Sequence, residues 1–358
     1  MRIVAHNGAR IFGGAERATI LLLRGLADRG HDVVLLCNDP LVKQGAEARG
    51  VEARLSPIGG DIALPHALRL ARTLSSLEPD AFLIGTFKKL FIASLGARIA
   101  RVPRVVARIG LESDTPRSAK YRVALRRWVH GVAVNADRMV EPFRTLDGFD
   151  PRKVVLIHNG VRPPVPRRSC PEMRKELGIP VDAFVVGTMA RLVVQKRFDR
   201  LLEAVALAGD AVHCVVAGEG KDRAEIVDLV ASLGLERRVH ILGHREDTAD
   251  VLEALDVFVV ASDREGLSNS MLEAMASGLP VITTPVSGAA DAIEGEHPAG
   301  ITARFDGASI ARAIDELRIN RSRLRDMGQA ARHRAETTFS FDTMVAKWEA
   351  FLAGSPLP

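Results

Sequence analysis

Two α/β domains, each a doubly wound parallel sheet flanked by helices, are the fold class that this sequence predicts, and three observations carry the prediction. The chain has 358 residues, too many for one ordinary hydrophobic core and suited to two domains of typical size. Short apolar, β-branched runs alternate with stretches of helical period along its length, the pattern of βαβ crossovers. The segment VRPPVPRRS at 161–169 interrupts that pattern once, after which it starts again; with Pro163, Pro164 and Pro166 it continues neither a sheet nor a helix interior. A first domain at 1–162, a linker at 163–169 and a second domain at 170–339 follow.

Taken in order, RIVAH opens as a buried strand and leads through a glycine loop into an amphipathic helix over about 15–28. HDVVLLCN reads as the second strand, followed by a helix near 63–77, the strand DAFLIG, a helix near 88–100, the strand RVVARIG, a helix near 117–130, and then GVAVN and KVVLIHNG. Beyond the prolines the strands are AFVVGTMARL, VHCVVAGEG, VHILGH, DVFVVAS and PVITTP. The tail at 339–354 places Phe341, Met344, Val345, Trp348 and Phe351/Leu352 at helical spacing. That stripe must pack, either on the second domain or back on the first. In open α/β sheets ligands collect beyond the carboxyl ends of the strands, so two such domains facing one another would form a cleft with a floor on each side.

Composition narrows the function. Hydrophobic content of 47% and charged content of 26% are those of a globular protein. Aromatic residues make up only 4%, little stacking surface for a single-stranded nucleic-acid binder. Cys37, Cys170 and Cys214 stand far apart with no CxxC, so neither a disulfide framework nor a zinc site is indicated and a reducing cytoplasm is expected. No run of about 18 apolar residues is present to span a bilayer, and the start lacks a signal peptide's apolar region. The net charge of +5 hides an asymmetry: residues 1–160 carry 25 Lys/Arg against 15 Asp/Glu, and the remainder 24 against 29.

The residues that suggest chemistry lie mainly in SDREGLSNSMLEAMASGLPVITT, 262–284, where Glu265 and Glu273 stand eight positions apart. The loop DREGLSNS runs from a strand into a helix of about eight residues, capped by Ser268 or Asn269 and stopped by Gly278 and Pro280. Free N–H groups and the positive end of the dipole make that helix start a phosphate or diphosphate site. Glu273, a turn inside, would accept hydrogen bonds from sugar hydroxyls, and Glu265 on the loop would reach a different set. In MARLVVQKRFD, Arg191 and Lys196 offer a fork and a mobile ammonium able to clamp two phosphates. Each feature alone reads more readily as dipole complementation or a solvated loop. The glycine loop RIFGGAER at 10–17 exposes N–H groups at a helix start, but neither it nor AGEGKD at 217–222 matches GxGxxG, so nicotinamide binding gains little support.

Together GGAER, ARLVVQKRFD, VVAGEG, VHILGH, EGLSNSMLEAMASGLPVI and the proline-rich hinge after IHNGV resemble the retaining GT-B glycosyltransferases with the E-x7-E motif, group 1, family four. The likeness runs through nearly the whole chain, strongest over 184–293. It implies transfer of a sugar from a nucleoside-diphosphate donor, UDP most readily and GDP as the alternative, with retention at the anomeric carbon and no cofactor or metal. The absence of Asp-x-Asp is compatible with that. By position it implies that Arg191 and Lys196 hold the diphosphate, Glu265 the donor-sugar hydroxyls and Glu273 the ribose. The backbone of Gly266, Leu267, Ser268, Asn269 and Ser270 would meet sugar and phosphates, Gly218, Glu219, His244 and Arg245 the base, and Gly13 and Gly14 the diphosphate from the first domain. It also favours a final helix that crosses back to the first domain. Glu265 is expected to position substrate rather than attack it.

One departure stands out. Where relatives place a histidine after the fifth strand, this chain has ARIGLESD, so Arg108 would take its place, for an anionic group, or else lie on the surface. Glu16, Arg108 and His6 are candidate acceptor or sugar contacts, and His158 shares their strand-end setting. Between 98 and 127 nine Lys/Arg face only Glu112 and Asp114, either a solvated face or a contact with an anionic membrane; no nucleic-acid motif accompanies them. The expected acceptor is a saccharide or lipid-linked saccharide of the cell envelope. Two other readings stay open: a sugar-nucleotide 2-epimerase, and a catalytically silent sugar-nucleotide binder.

Overall fold

The computed structural model describes residues 1–9, 12–59, 64–111, 113–114 and 118–358. By contact the chain divides into two compact units, Met1–Asn159 with Phe341–Pro358, and Gly160–Ser340.

The first unit is built on seven strands: β1 (Arg2–Asn7), β2 (Asp32–Cys37), β3 (Glu52–Leu55), β4 (Ala81–Ile84), β5 (Arg104–Ile109), β6 (Gly131–Val134) and β7 (Val154–Leu156). They lie in the order β3-β2-β1-β4-β5-β6-β7 with every pairing parallel. Sequence order reverses between β1 and β4, the switch point at which ligands gather in such sheets. The central strands read as unbroken apolar runs because helices cover both faces; Ile3, Val4, Leu35, Phe82 and Val106 are wholly buried. The helix Gly14–Asp28 turns Ile20, Leu22, Leu23 and Leu26 inward, and Leu64–Leu77 does the same with Leu70 and Leu74.

The stripe in the tail belongs to the helix Phe341–Ala353, whose Phe341, Met344, Val345, Trp348, Phe351 and Leu352 all bury into the first unit's core beside Ile3, Leu23 and Leu26. Six such side chains contribute roughly 10 kcal/mol as an upper estimate from area burial. Polar contacts fix the register. Arg104 donates from Nε and Nη2 to the Phe351 carbonyl at 2.9 and 2.7 Å, while Glu349 accepts from Arg29 at 2.7 Å and meets His31 at 2.8 Å. At Gly25 an added Cβ would come within 2.7 Å of Val345, so the two helices approach as closely as glycine allows.

The second unit carries β8 (Phe184–Met189), β9 (Val212–Ala217), β10 (Val239–Gly243), β11 (Val257–Val260), β12 (Val281–Thr283) and β13 (Gly300–Thr302), in the order β10-β9-β8-β11-β12-β13, again all parallel. Its switch point falls between β8 and β11. Residues 163–169 lie within this unit rather than apart from it. Val161 donates to the Phe339 carbonyl at 2.8 Å, the Arg167 and Arg168 N–H groups donate to Asp250, and the Arg168 fork binds Asp250, Asp247 and Glu176. Prolines that donate no backbone hydrogen bond leave the segment to be anchored by the residues around them.

Candidate active site

The loops that follow β8 and β11 meet because their strands are neighbours at the switch point of the second sheet. Lys196 ends a single 3-10 turn, Val194–Lys196, and its ammonium pairs with Glu265 Oε1. The same oxygen accepts from Ser262 Oγ at 2.9 Å. Both partners are largely buried, with side chains 20% and 11% exposed, so the pair sits where its attraction is poorly screened and either charge alone would be costly. Backbone and side chains around it hold the geometry. The Asp263 N–H donates to the Gln195 carbonyl at 3.0 Å, Gln195 Nε2 donates to the Arg264 carbonyl at 2.6 Å, and Arg200 reaches Asp263 at 2.7 Å and the Ala261 carbonyl at 3.2 Å. Arg197 adopts the left-handed conformation at φ 52° and binds both Asp199 and Asp263.

Beyond Glu265 the chain enters the helix Asn269–Ala276, and Ser268 Oγ accepts from the Met271 N–H as its cap. The loop before it is buried at Gly266 and Leu267 and seated on a second one: Gly288 donates to the Gly266 carbonyl at 3.1 Å, and an added Cβ there would fall 2.6 Å from that oxygen. Thr284 Oγ1 donates to the Ser262 carbonyl at 2.6 Å from beneath. A small pocket opens among Thr188, Ala190, Lys196, Ser262, Glu265 and Ser270 at the mouth of this helix. Glu273 lies one turn in and is partly exposed. Arg191, first after Ala190, is exposed. Lys196, Glu265, Ser268 and Ser270 are therefore brought together, with helix N–H groups and an ion pair beside one cavity, a setting for a phosphorylated, hydroxyl-bearing ligand.

Other expected contacts sit differently. Gly218 has a φ of 144°, donates to the Gly243 carbonyl at 2.7 Å, and lies so close to the Ala190 carbonyl that a Cβ would be 2.0 Å from it. Gly220 stands equally close to the Leu192 carbonyl. These glycines lock the loop after β9 against the loop after β8, and the Glu219 carbonyl accepts from Leu192 for the same purpose, its carboxylate pairing loosely with Arg223. His244 is exposed. Arg245 is taken up by Asp247 at 2.6 Å and Glu176 at 3.0 Å, contacts that raise its pKa further and leave it a fastener of the segment around Arg168.

In the first unit Gly13 caps the helix Gly14–Asp28, and its N–H is already bound by Glu16 Oε2 at 3.0 Å. Glu16 thus serves the helix end, and Gly14 is exposed. His6, expected to contact substrate, is completely buried, and burial pulls its pKa down to about 4, so it is a neutral core residue. His158 is partly exposed. Arg108 is not a surface arginine: half-buried, it donates to Thr19 Oγ1 at 3.0 Å and Asn159 Oδ1 at 2.9 Å, and burial lowers its pKa to about 10 with Glu16 opposing. In the basic stretch, Arg122, Arg126 and Arg127 are exposed on the helix Ala119–Arg127, whereas Glu112 and Arg117 lie outside the described residues.

Residues 170–334 match the family model described as glycosyl transferases group 1, and 12–163 match that of glycosyltransferase family 4. The chain belongs to the group 1 glycosyltransferases. Among curated relatives, the lipopolysaccharide core biosynthesis glycosyltransferase LpsE of Rhizobium meliloti (strain 1021) is 33% identical over 184 residues, about half of each chain: 51% of this one and 54% of that. LpsD of the same organism is 28% identical over 313 residues, covering 86% and 85%. Solved structures confirm the two-sheet GT-B fold of the glycosyltransferase. Anabaena HepE in complex with UDP and glucose superposes with a TM-score of 0.87 at 22% identity, over 99% of this chain and all of that one. WaaG, a glycosyltransferase involved in lipopolysaccharide biosynthesis, gives 0.75 at 18% identity over 99% and 100%. Among the described residues no group of three or more His, Cys, Asp or Glu could hold a metal ion, and no helix is long and apolar enough to cross a membrane.

Proposed function

We propose that this glycosyltransferase moves a sugar from a UDP-sugar to a saccharide or lipid-linked saccharide of the cell envelope, with retained anomeric configuration and without a metal. The observation that carries the reading is the buried Lys196–Glu265 pair at the mouth of a Ser-capped helix. In the transfer the acceptor hydroxyl oxygen bonds to the anomeric carbon as the bond from that carbon to the diphosphate oxygen breaks, and the hydroxyl proton passes to the departing phosphate. Charge builds on the leaving diphosphate. Lys196, Arg191 and the N–H groups of the helix Asn269–Ala276 stabilise it, the task for which preorganised positive groups are worth most. Glu265, held by Ser262 and Lys196, keeps an acceptor oxygen fixed for the sugar hydroxyls, and Glu273 receives the ribose.

The donor class is supported by HepE, solved with UDP and with UDP-glucose, and the envelope setting by the names of LpsE and LpsD. Exposed Arg122, Arg126 and Arg127 would bring the first unit to an anionic lipid surface; sedimentation with anionic vesicles should then fall as salt rises from 50 to about 500 mM, and salt-independent sedimentation would discard that contact. The central test is a thermal-shift and diphosphate-release screen against UDP-, GDP- and ADP-sugars. Stabilisation by the UDP series and slow UDP release, both lost in Lys196→Ala, is the expected result. Binding of none of the three would refute the reading.

A further inference from the structure

The carboxyl edge of the first sheet holds polar groups that the donor chemistry leaves unused. Arg108, one residue before the end of β5, rests on two neutral oxygens, Thr19 Oγ1 and Asn159 Oδ1. Among the described residues no carboxylate forms an ion pair with it, and three of its five N–H groups remain without a protein acceptor. On the adjacent strand Asn135 follows β6 directly. It is 5% exposed, and its Oδ1 is enclosed with no hydrogen-bond partner among the described residues.

Register places the two side by side. Arg108 lies opposite Ala133 and Ile109 opposite Val134, so Asn135 stands level with Gly110 and on the same sheet face as Arg108. From strand spacing and rise, their Cα atoms are about 8 Å apart. The position between them is a glycine, where an added Cβ would come no nearer than 4.0 Å to anything, the Asn135 amide being its neighbour. A guanidinium that Glu16 reaches only through space, with no ion pair among the described residues, and an enclosed amide oxygen without a donor are both costly, and groups of this kind persist where a ligand completes them.

The complementary ligand has an anion for the fork and, beside it, a hydroxyl to donate to Asn135 Oδ1. A neutral glycan supplies only the second. We infer that Arg108 and Asn135 form a subsite for an acidic sugar, one that carries a carboxylate or a phosphate, with Arg108 clamping the anion and Asn135 accepting from a neighbouring hydroxyl. The inference rests on the transferase reading in taking that sugar to be a substrate.

Ligand-observed NMR titration of the full chain with glucuronate, glucose 6-phosphate, glucose and inorganic phosphate tests it. One of the two acidic sugars should bind about tenfold or more tightly than glucose, and which one does so separates carboxylate from phosphate. Arg108→Gln should bring that ratio to within about twofold, Arg108→Lys should keep part of it, and Asn135→Leu should weaken the acidic sugar while leaving inorganic phosphate unchanged. Equal binding of glucose, no binding of either acidic sugar, an acid preference that survives Arg108→Gln, or inorganic phosphate bound as tightly as glucose 6-phosphate would each overturn the subsite. Asn135→Leu decides the matter if the arginine variants fail to fold. UDP binding by the same wild-type sample reports separately: its absence would count against the transferase reading alone.

Discussion

At the carboxyl edge of the second sheet Lys196 meets Glu265, Gln195 holds the Arg264 carbonyl and Gly288 seats on Gly266; at the same edge of the first sheet Arg108 rests on two neutral oxygens and Asn135 Oδ1 has no partner among the described residues. Both edges come from the same βαβ grammar. The difference is in who satisfies the polar groups. The second unit pairs its charges with one another, which on the reading proposed above preorganises it to stabilise the same leaving diphosphate in every turnover. The first leaves donors and an acceptor open among the described residues, which on the reading proposed above suits a unit that tells one sugar from another.

The strongest blow to this contrast would come from Lys196→Ala or Glu265→Ala. Each should lower the rate of diphosphate release and of product formation by about 10²–10³-fold, and each should also lower the melting temperature, because the partner's charge is left buried and unpaired. Because the two side chains form one unit, the double variant should be little worse than either single one; activity within about tenfold of wild type in a folded variant would remove the pair from the mechanism. Next in size is a pH effect confined to the first unit. His6 is wholly buried with its pKa at about 4 against 6.5 in the unfolded chain. Between those values the unfolded chain binds the extra proton, so stability is fully present above pH 6.5 and falls as the pH drops towards 4, by about 3 kcal/mol. Urea unfolding at pH 7 and 4 should show that loss, and a His6→Gln variant should show less of it. An unchanged slope in the variant would assign the pH dependence elsewhere.

A smaller test sets one glycine against another. Gly218→Ala would force a Cβ to 2.0 Å from the Ala190 carbonyl at a φ of 144°, costing about 1–3 kcal/mol. Gly14→Ala has nothing within 4 Å and should change the unfolding midpoint by less than about 0.5 kcal/mol. Equal effects in thermal unfolding would mean that the loop after β9 gives way more easily than its packing implies.

The same contrast explains what could be read from the residues. The segment SDREGLSNSMLEAMASGLP announces its loop, its Ser cap, its eight-residue helix and its glycine stop through local spacing alone, and the helix runs over Asn269–Ala276. Long-range contacts are where reading stops. Gly218 looks like a ligand-facing glycine until the Ala190 carbonyl from the loop after β8 is seen against it, and Arg245 looks free until Glu176 reaches it. Gly13 and Glu16 form a capping pair whose three-residue spacing was available in the sequence but lay hidden behind the likeness to a phosphate loop. The edge strands β3 and β13 escaped because they are short and half-wet: along Glu52–Leu55 only Ala53 is buried. Ser262, the residue that steadies Glu265, carries no signal beyond standing at a strand end.

The helix Phe341–Ala353 gives the molecule a timetable as well as a shape. Synthesis delivers the strands β1 to β7 first, yet the apolar face around Ile3, Leu23 and Leu26 is closed only when Trp348 and its neighbours have been made. At about 5–20 residues per second the intervening unit occupies the ribosome for tens of seconds at most rates. Throughout that interval the nascent first unit carries an open greasy flank, a standing invitation to chaperones and to its own copies on the same messenger.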